Sequence, residues 1–96
     1  MKKEFLNYLQ CIKCRHDPFE LIELETKSVD DEKEIIVIES GILFCPNCNY
    51  FYPIIEGIPI ILPDDLRNKN NDIEFLKKWK LKIPEKIIHD GNPWHL

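Results

Sequence analysis

The sequence predicts an α+β protein: a small antiparallel sheet around a four-cysteine site, with an N-terminal helix before it and a helical segment after it. All four cysteines occur in two Cys-x-x-Cys pairs. The chain between and after the pairs is rich in β-branched and alternating apolar residues, which is typical of strands. Beyond residue 66 the apolar residues recur at helical spacing. We expect one domain at residues 1–66 and a C-terminal helical extension, residues 67–96, packed on it.

The two cysteine pairs have the spacing of one tetrahedral metal site. Cys11 and Cys14 form the first pair, and Cys45 and Cys48 form the second. Because two residues separate the thiols of each pair, a tight turn can point both sulfur atoms at one ion. Four thiolates fill every position that zinc ordinarily offers, which leaves none for water or substrate. The sequence therefore predicts a zinc-ribbon-like site with Zn²⁺ as a structural cofactor.

A disulfide framework, a redox motif and an iron site are the alternatives to zinc. A disulfide framework fits secreted proteins, but residues 1–5 lead into no apolar signal-peptide core. A thioredoxin-like redox motif needs a helix after Cys14, whereas Pro18 and an extended pattern follow. Iron would use the same four ligands, and the sequence does not separate it from zinc. Paired thiols without a signal peptide predict a protein of the reducing cytoplasm.

The first elements lie on either side of the first cysteine pair. Phe5, Leu6 and Leu9 follow the spacing of one face of a short helix, and Glu4 lies near its start, where a negative charge suits the helix dipole. Residues 18–25 alternate apolar and acidic side chains, as a half-buried strand does.

The next strands are expected to fold back around the second cysteine pair. A polar break at residues 30–33 precedes the β-branched residues 35–38, which predict a returning strand. Ser40 and Gly41 predict a bulge or a tight turn. The chain then enters the second pair as a strand and leaves it as the strand 50–55, which predicts a hairpin with the metal turn at its tip.

The last strand is expected at residues 58–62, after a turn at Glu56-Gly57 and before a stop at Pro63. Pro59 lacks the N–H that a central strand donates, so this strand should have at least one free edge.

The C-terminal segment is expected to be helical. Asp72 is predicted to cap a helix at its N-terminus. The apolar positions of that helix are Ile73, Leu76, Trp79 and Ile83. Pro84 is predicted to begin a second short helix that Gly91 ends. The tail, residues 92–96, either frays or docks as an apolar anchor.

The charge is unevenly distributed. A net charge of −4 argues against a protein that binds nucleic acid by itself. Residues 17–40 hold nine acids against two lysines, whereas residues 67–86 hold seven basic residues against three acids. The basic segment 67–86 could therefore contact RNA within a larger complex. No apolar run is long enough to span a membrane, so no membrane partner is expected.

The sequence contains no recognisable catalytic constellation, and we predict that the protein is not an enzyme. Three glycines form no phosphate-binding loop, and no nucleophile has a partnered base. His16 follows Cys14 closely, but four thiols already satisfy the metal, so a surface or hydrogen-bonded histidine is expected. The aromatic run 50–52 is more typical of a core than of an RNA-stacking surface.

The stretch from residue 54 to residue 62 predicts a contact with a partner. Six of its nine residues are isoleucine or leucine, and Pro59 marks a free edge. An uncovered apolar edge strand is an aggregation hazard, and a partner that pairs with it is the usual explanation. The predicted partner interface comprises Ile54, Gly57, Ile58, Pro59, Ile60, Ile61 and Leu62.

The order of these motifs resembles a known family, the small zinc-binding activator subunit of tRNA, ribosomal RNA and release-factor methyltransferases. The motifs are the N-terminal helix, Cys-x-x-Cys, a strand, Cys-Pro-x-Cys, Tyr52-Pro53-Ile54 and Glu56-Gly57-Ile58-Pro59-Ile60. The resemblance covers residues 1–66 and does not extend to residues 67–96. The short span between the pairs resembles archaeal-type members, because eukaryotic members carry a helical insertion there.

The resemblance implies a non-catalytic activating and stabilising subunit that has no activity alone. In that family the zinc domain forms a heterodimer with a class I S-adenosylmethionine-dependent catalytic subunit by strand addition, and it covers an apolar surface. By position, the four cysteines would be the zinc ligands, and residues 57–60 would lie at the partner surface. An alternative function is a zinc-ribbon nucleic-acid-binding module of the transcription or translation machinery, which predicts salt-sensitive binding through Lys77, Lys78 and Lys80.

Overall fold

The computed structural model describes residues 1–30, 32 and 35–96. In chain order, its helices and strands are a 3₁₀ helix at Lys3–Tyr8, β1 at Glu20–Asp30, β2 at Ile35–Phe44, β3 at Phe51–Ile55, β4 at Ile58–Pro59, a 3₁₀ helix at Asp64–Leu66, α1 at Lys69–Trp79 and α2 at Glu85–Asp90. The predicted α+β class is confirmed. The predicted turn at residues 30–33 falls partly outside the described residues, because residues 31 and 33 are not among them.

Within the described residues, the strands form one four-stranded antiparallel sheet in the order β1-β2-β3-β4. The bulge or turn expected at Ser40-Gly41 does not break β2, which continues to Phe44. A bulge-type irregularity is nevertheless present at the predicted position, because the pairing of β1 with β2 shifts register on both sides of Glu25, which faces Ser40. Position 41 requires glycine for a steric reason, because a Cβ there would lie 2.7 Å from the backbone oxygen of Ile22.

Both faces of the sheet are covered, each by its own apolar cluster in the described part of the chain. Successive residues of a strand point to opposite faces, so β2 contributes Leu43 to one cluster and Ile42 and Phe44 to the other. The buried members of the metal-side cluster are Met1, Cys11, Phe19, Ile38, Leu43, Cys45, Tyr52 and Ile54. The buried members of the helix-side cluster are Leu24, Ile42, Phe44, Phe51, Leu76, Ile83, Ile87 and Ile88.

The C-terminal segment packs on the sheet through the helix-side cluster. Asn68, not Asp72, caps α1: its side chain accepts a hydrogen bond from the backbone N–H of Asn71 over 3.0 Å. The prediction that Asp72 is the cap was therefore wrong, and Asp72 lies buried inside the helix instead. The second helix begins directly after Pro84 and ends before Gly91, as predicted.

The C-terminal tail is docked, which decides between the two expectations for it. The backbone N–H of Phe51 donates to the carbonyl of Asn92 over 3.0 Å, and Asn92 donates to the carbonyl of Asn49 over 2.8 Å. The Trp94 indole N–H donates to Oδ2 of Asp72 over 3.1 Å. These bonds attach the tail both to β3 and to α1.

Two predicted elements differ from the structure. The N-terminal helix is a 3₁₀ helix, in which three residues per turn leave Phe5 51% exposed while Leu6 and Leu9 pack against the metal-side cluster. The last strand ends at Pro59 rather than at residue 62, although the N–H of Ile60 still donates to the carbonyl of Pro53 over 2.8 Å. No helix among the described residues is long and apolar enough to cross a membrane.

Candidate metal centre and partner edge

Each cysteine pair is held by a closed backbone turn. In the first turn, the N–H of Arg15 donates to the carbonyl of Cys11 over 2.7 Å. The N–H of Cys11 in turn donates to the carbonyl of His16 over 3.0 Å. Arg15 has a φ of 62°, so the chain reverses through a left-handed residue directly after Cys14.

The second turn repeats the first one at equivalent positions. The N–H of Asn49 donates to the carbonyl of Cys45 over 2.9 Å, and the N–H of Cys45 donates to the carbonyl of Tyr50 over 2.8 Å. Asn49 has a φ of 63° and corresponds to Arg15. The shared Cys-x-x-Cys spacing thus produces the same local structure twice, and each turn presents two thiols on one side.

The four sulfur atoms converge on one point between the two turns. All of them lie within 4.8 Å of one another, and this cluster in the described part of the chain contains cysteines alone. The Sγ atoms of Cys11 and Cys48 are 3.6 Å apart, and those of Cys14 and Cys45 are 3.5 Å apart. A tetrahedron with metal–sulfur bonds of about 2.3 Å has edges of about 3.8 Å. The cluster therefore fits one tetrahedral metal ion, and zinc and iron share this geometry.

The surroundings of the thiols differ between the two turns. Hydrogen bonds from the Asn47 side chain and from the backbone at His16 lower the pKa of Cys14 to about 6. Burial raises the pKa of Cys45 and of Cys48 instead. A cation among the sulfurs would offset this burial effect and hold all four groups as thiolates.

A buried tyrosine contacts the cluster from the sheet. The Tyr52 hydroxyl lies 3.3 Å from Sγ of Cys11, and Tyr52 is 1% exposed. Burial, followed by the contact with Cys11, raises the pKa of Tyr52, so its hydroxyl stays protonated. The hydroxyl can therefore donate a hydrogen bond to the sulfur. The Phe19 ring packs edge-on against Tyr52 with centroids 5.6 Å apart. Phe51 and Tyr52 are thus core residues, as predicted for the aromatic run, whereas Tyr50 is half-buried, and Tyr52 also supports a candidate ligand.

Lys13, in the first turn, contacts an aromatic ring and a carboxylate. Lys13 lies 5.5 Å from the ring centroid of Tyr50 and 3.8 Å from Oδ2 of Asp64. The Tyr50 hydroxyl donates to the same carboxylate over 2.8 Å. No spacing pattern in the sequence connects Asp64 to Tyr50, so this contact is not predictable from the sequence.

The predicted partner edge begins at a tight hairpin turn. Glu56 and Gly57 have φ values of 51° and 78°, and Ile55 pairs with Ile58 across them. Two successive left-handed residues between paired strands are typical of a type I′ hairpin. Of the predicted interface residues, Ile58 is 59% exposed. The half-buried members are Gly57, Pro59, Ile60, Ile61 and Leu62.

Ile54 is placed differently from the rest of the predicted interface. Its side chain is 0% exposed and belongs to the metal-side cluster. It therefore supports the edge from inside the core and offers no side-chain surface to a partner.

A surface pocket adjoins the C-terminal end of the predicted partner edge, at Leu62. It has a volume of about 320 Å³, and its wall includes Leu62, Pro63 and Ile12. Ile12, in the first cysteine turn, is 47% exposed. The apolar surface of the edge thus continues to the metal turn.

Together, the converging thiols, the four-stranded sheet of the described residues and its edge strand define a small α+β protein with a structural-type metal centre and an apolar sheet edge. A family model described as Trm112p-like protein matches residues 2–57, which is more than half of the chain, and the chain belongs to this family. The resemblance identified from the sequence is thereby confirmed. Members of this family are small activator subunits of methyltransferases. No curated protein and no solved structure matches the chain.

Proposed function

We propose that this protein is a non-catalytic activating and stabilising subunit of class I S-adenosylmethionine-dependent methyltransferases that modify tRNA, ribosomal RNA or a translation release factor. It joins the catalytic subunit as a heterodimer by strand addition. Its site of action is the reducing cytoplasm of an archaeal-type cell, which agrees with four free thiols.

The free edge of β4 carries the proposal of strand addition. β4 is the last strand in the sheet order, so its outer side has no neighbouring strand among the described residues. Ile58 and the half-buried residues 60–62 make this edge apolar. A natural edge strand is normally protected by charges or a cover, so an apolar edge fits a surface that a partner strand completes.

We also propose that Cys11, Cys14, Cys45 and Cys48 bind one structural Zn²⁺. The ion would crosslink the two cysteine turns. It would supply no reaction chemistry, since four protein ligands complete its usual coordination. The two turns approach the ion from residues about thirty positions apart in the chain, and both adjoin the metal-side cluster. Metal binding thus holds the β3–β4 hairpin against the first turn.

For domain organisation, we propose a zinc-binding α+β domain at residues 1–66 and a C-terminal helical extension at residues 67–96. The extension supplies Leu76, Ile83, Ile87 and Ile88 to the helix-side cluster, so it packs on the same domain.

Co-expression with a candidate methyltransferase tests the function. The catalytic subunit is expected to be more soluble, to bind S-adenosylmethionine more tightly and to turn over faster with this chain than without it. Equal solubility, binding and turnover in both preparations would contradict the proposal for that enzyme.

A matched pair of double variants tests the edge. Ile58→Asp/Ile60→Asp is expected to abolish co-purification, because two charges on an edge oppose burial by a partner. Val29→Asp/Ile36→Asp is the control, since Val29 and Ile36 are 55% and 56% exposed on β1 and β2. Metal content should be unchanged in both. Co-purification that survives in the edge variant would place the interface elsewhere.

A further inference from the structure

The end of α1 concentrates positive charge around a tryptophan. Residues 77–82, here named the lysine–tryptophan turn, line a hollow of about 360 Å³. The four lysines of the turn are all exposed, and Leu81 is 99% exposed. Trp79 is half-buried. This turn lies in the extension, beyond the residues that the family model matches.

The lysines of the turn are available to a ligand. Nζ of Lys78 and Nζ of Lys82 lie 5.3 Å and 5.5 Å from the ring centroid of Trp79. Among the described residues, Glu74 pairs with Lys77 at 3.9 Å, and both groups are mostly exposed. No carboxylate of the described residues forms an ion pair with Lys78, Lys80 or Lys82. Two of the four lysines therefore lie beside the indole, and Lys78, Lys80 and Lys82 have no carboxylate partner among the described residues.

This combination of groups matches the chemistry of a single-stranded nucleic acid. Lysine ammonium groups bind backbone phosphates, and the solvent-accessible part of a half-buried indole such as Trp79 offers an aromatic surface for stacking of an unpaired base. The acidic remainder of the chain repels phosphate, since the whole chain has a net charge of −4 despite this basic segment. A bound strand would thus be confined to the extension.

An anionic membrane is a poorer match for the same surface. A helix that lies in a membrane interface needs a free apolar face. In α1, Leu76 is buried in the helix-side cluster, and Ile73 packs against that cluster. Within the lysine–tryptophan turn itself, the exposed apolar surface consists of Leu81 and part of Trp79, which lie between lysines.

We propose that the lysine–tryptophan turn binds single-stranded RNA through phosphate contacts of its lysines and stacking of one base on Trp79. The choice of RNA rests on the proposed function, in which the catalytic partner modifies tRNA or ribosomal RNA. The turn would then hold an unpaired part of the substrate while the partner acts on it.

Fluorescence anisotropy of a labelled twelve-nucleotide single-stranded RNA with the full zinc-loaded chain tests this proposal. Binding is expected to weaken with salt, with a slope of log K against log[salt] of about −3 for four phosphate contacts. Lys78→Gln/Lys82→Gln is expected to reduce that slope to about −1.4. Lys2→Gln/Lys27→Gln is the charge-matched control. It removes two exposed lysines that lie outside the C-terminal extension, and it should leave the slope unchanged.

Tryptophan fluorescence reports on the stacked base separately. The chain has two tryptophans, so Trp94→Phe leaves Trp79 as the single emitter. RNA is expected to quench its emission, whereas an abasic strand of equal length should bind with little quenching. Circular dichroism of the variant checks that it is folded.

The outcomes separate this inference from the proposed function. Ile58→Asp/Ile60→Asp should lose the methyltransferase and keep RNA binding, whereas the Lys78/Lys82 variant should do the reverse. The inference is overturned if the chain does not bind RNA at low salt, if the lysine variant binds as tightly as the control, or if anionic phosphatidylserine vesicles bind the turn and RNA does not. None of these results bears on co-purification with the methyltransferase.

Discussion

Arg67 donates a hydrogen bond from Nε to Oδ2 of Asp72 over 3.0 Å, and their side chains are only 2% and 9% exposed. Nη1 of Arg67 also donates to the carbonyl of Phe51 over 2.7 Å, and the guanidinium carbon lies 4.8 Å from the Phe51 ring centroid. Asp72 accepts the Trp94 indole N–H as well. This buried ion pair therefore joins β3, α1 and the tail.

Removing one partner of that ion pair should destabilise the protein strongly. Asp72→Ala leaves the Arg67 charge buried without a counter-ion, which is expected to cost about 3–5 kcal/mol in free energy of unfolding. Glu74→Ala is the control in the same helix, because its pair with Lys77 is exposed and contributes less than about 0.5 kcal/mol. Urea denaturation of the zinc-loaded variants measures both. A loss below about 1 kcal/mol for Asp72→Ala would contradict the role given to the pair.

Metal removal should unfold the domain. Structural zinc contributes on the order of 10 kcal/mol, which is comparable to the whole stability of a small domain. We expect a chelator to abolish the cooperative thermal transition, and added Zn²⁺ to restore it. Elemental analysis should find one zinc per chain. A coloured, iron-containing protein would identify iron as the bound metal. A fold that resists the chelator would show that metal binding does not stabilise the domain.

The buried hydroxyl of Tyr52 should help to retain the metal. Tyr52→Phe removes the contact with Cys11 Sγ and little packing, so metal affinity is expected to fall by about 10–100-fold. Tyr50→Phe removes an exposed hydroxyl that bonds to Asp64 and serves as the matched control. Competition with a chromogenic chelator gives both affinities. Equal affinities would mean that the hydroxyl does not support the sulfur.

The left-handed residue after each cysteine pair should prefer glycine. Asn49→Gly and Arg15→Gly remove the steric cost of a positive φ and should raise the free energy of unfolding by up to about 1 kcal/mol. Asn49→Val and Arg15→Val should lower it by about 1–2 kcal/mol, because a branched Cβ fits this region worst. Thermal unfolding of the four zinc-loaded variants provides the comparison. A valine variant as stable as its glycine counterpart would exclude the positive φ.

Deleting residues 67–96 should make the remaining chain aggregate. The deletion uncovers Ile42, Phe44 and Phe51, which lie in the helix-side cluster and are at most 2% exposed. Light scattering of the purified fragment, compared with the full chain at equal metal content, measures the effect. A monodisperse, stable fragment would show that the extension is dispensable for the fold.

Local patterns in the sequence were sufficient for the two Cys-x-x-Cys turns, for most of the strands and for the Glu56-Gly57 turn, and the order of these motifs along the chain was sufficient for the family. Each of the local features depends on spacing between near neighbours: two residues between thiols, alternation along a strand, or glycine at a positive φ. The local features can be predicted from the sequence because the physical constraint behind each of them acts over only a few residues.

Contacts between distant residues decided the rest. Asp72 has the residue type of a helix cap, yet Arg67 and Trp94 draw it into a buried cluster, and the cap passes to Asn68. Ile54 resembles its exposed neighbours in sequence, but its face of β3 points into the metal-side cluster. Burial, docking of the tail and the early end of β4 depend on which surfaces meet after the chain has folded, and no local spacing encodes that.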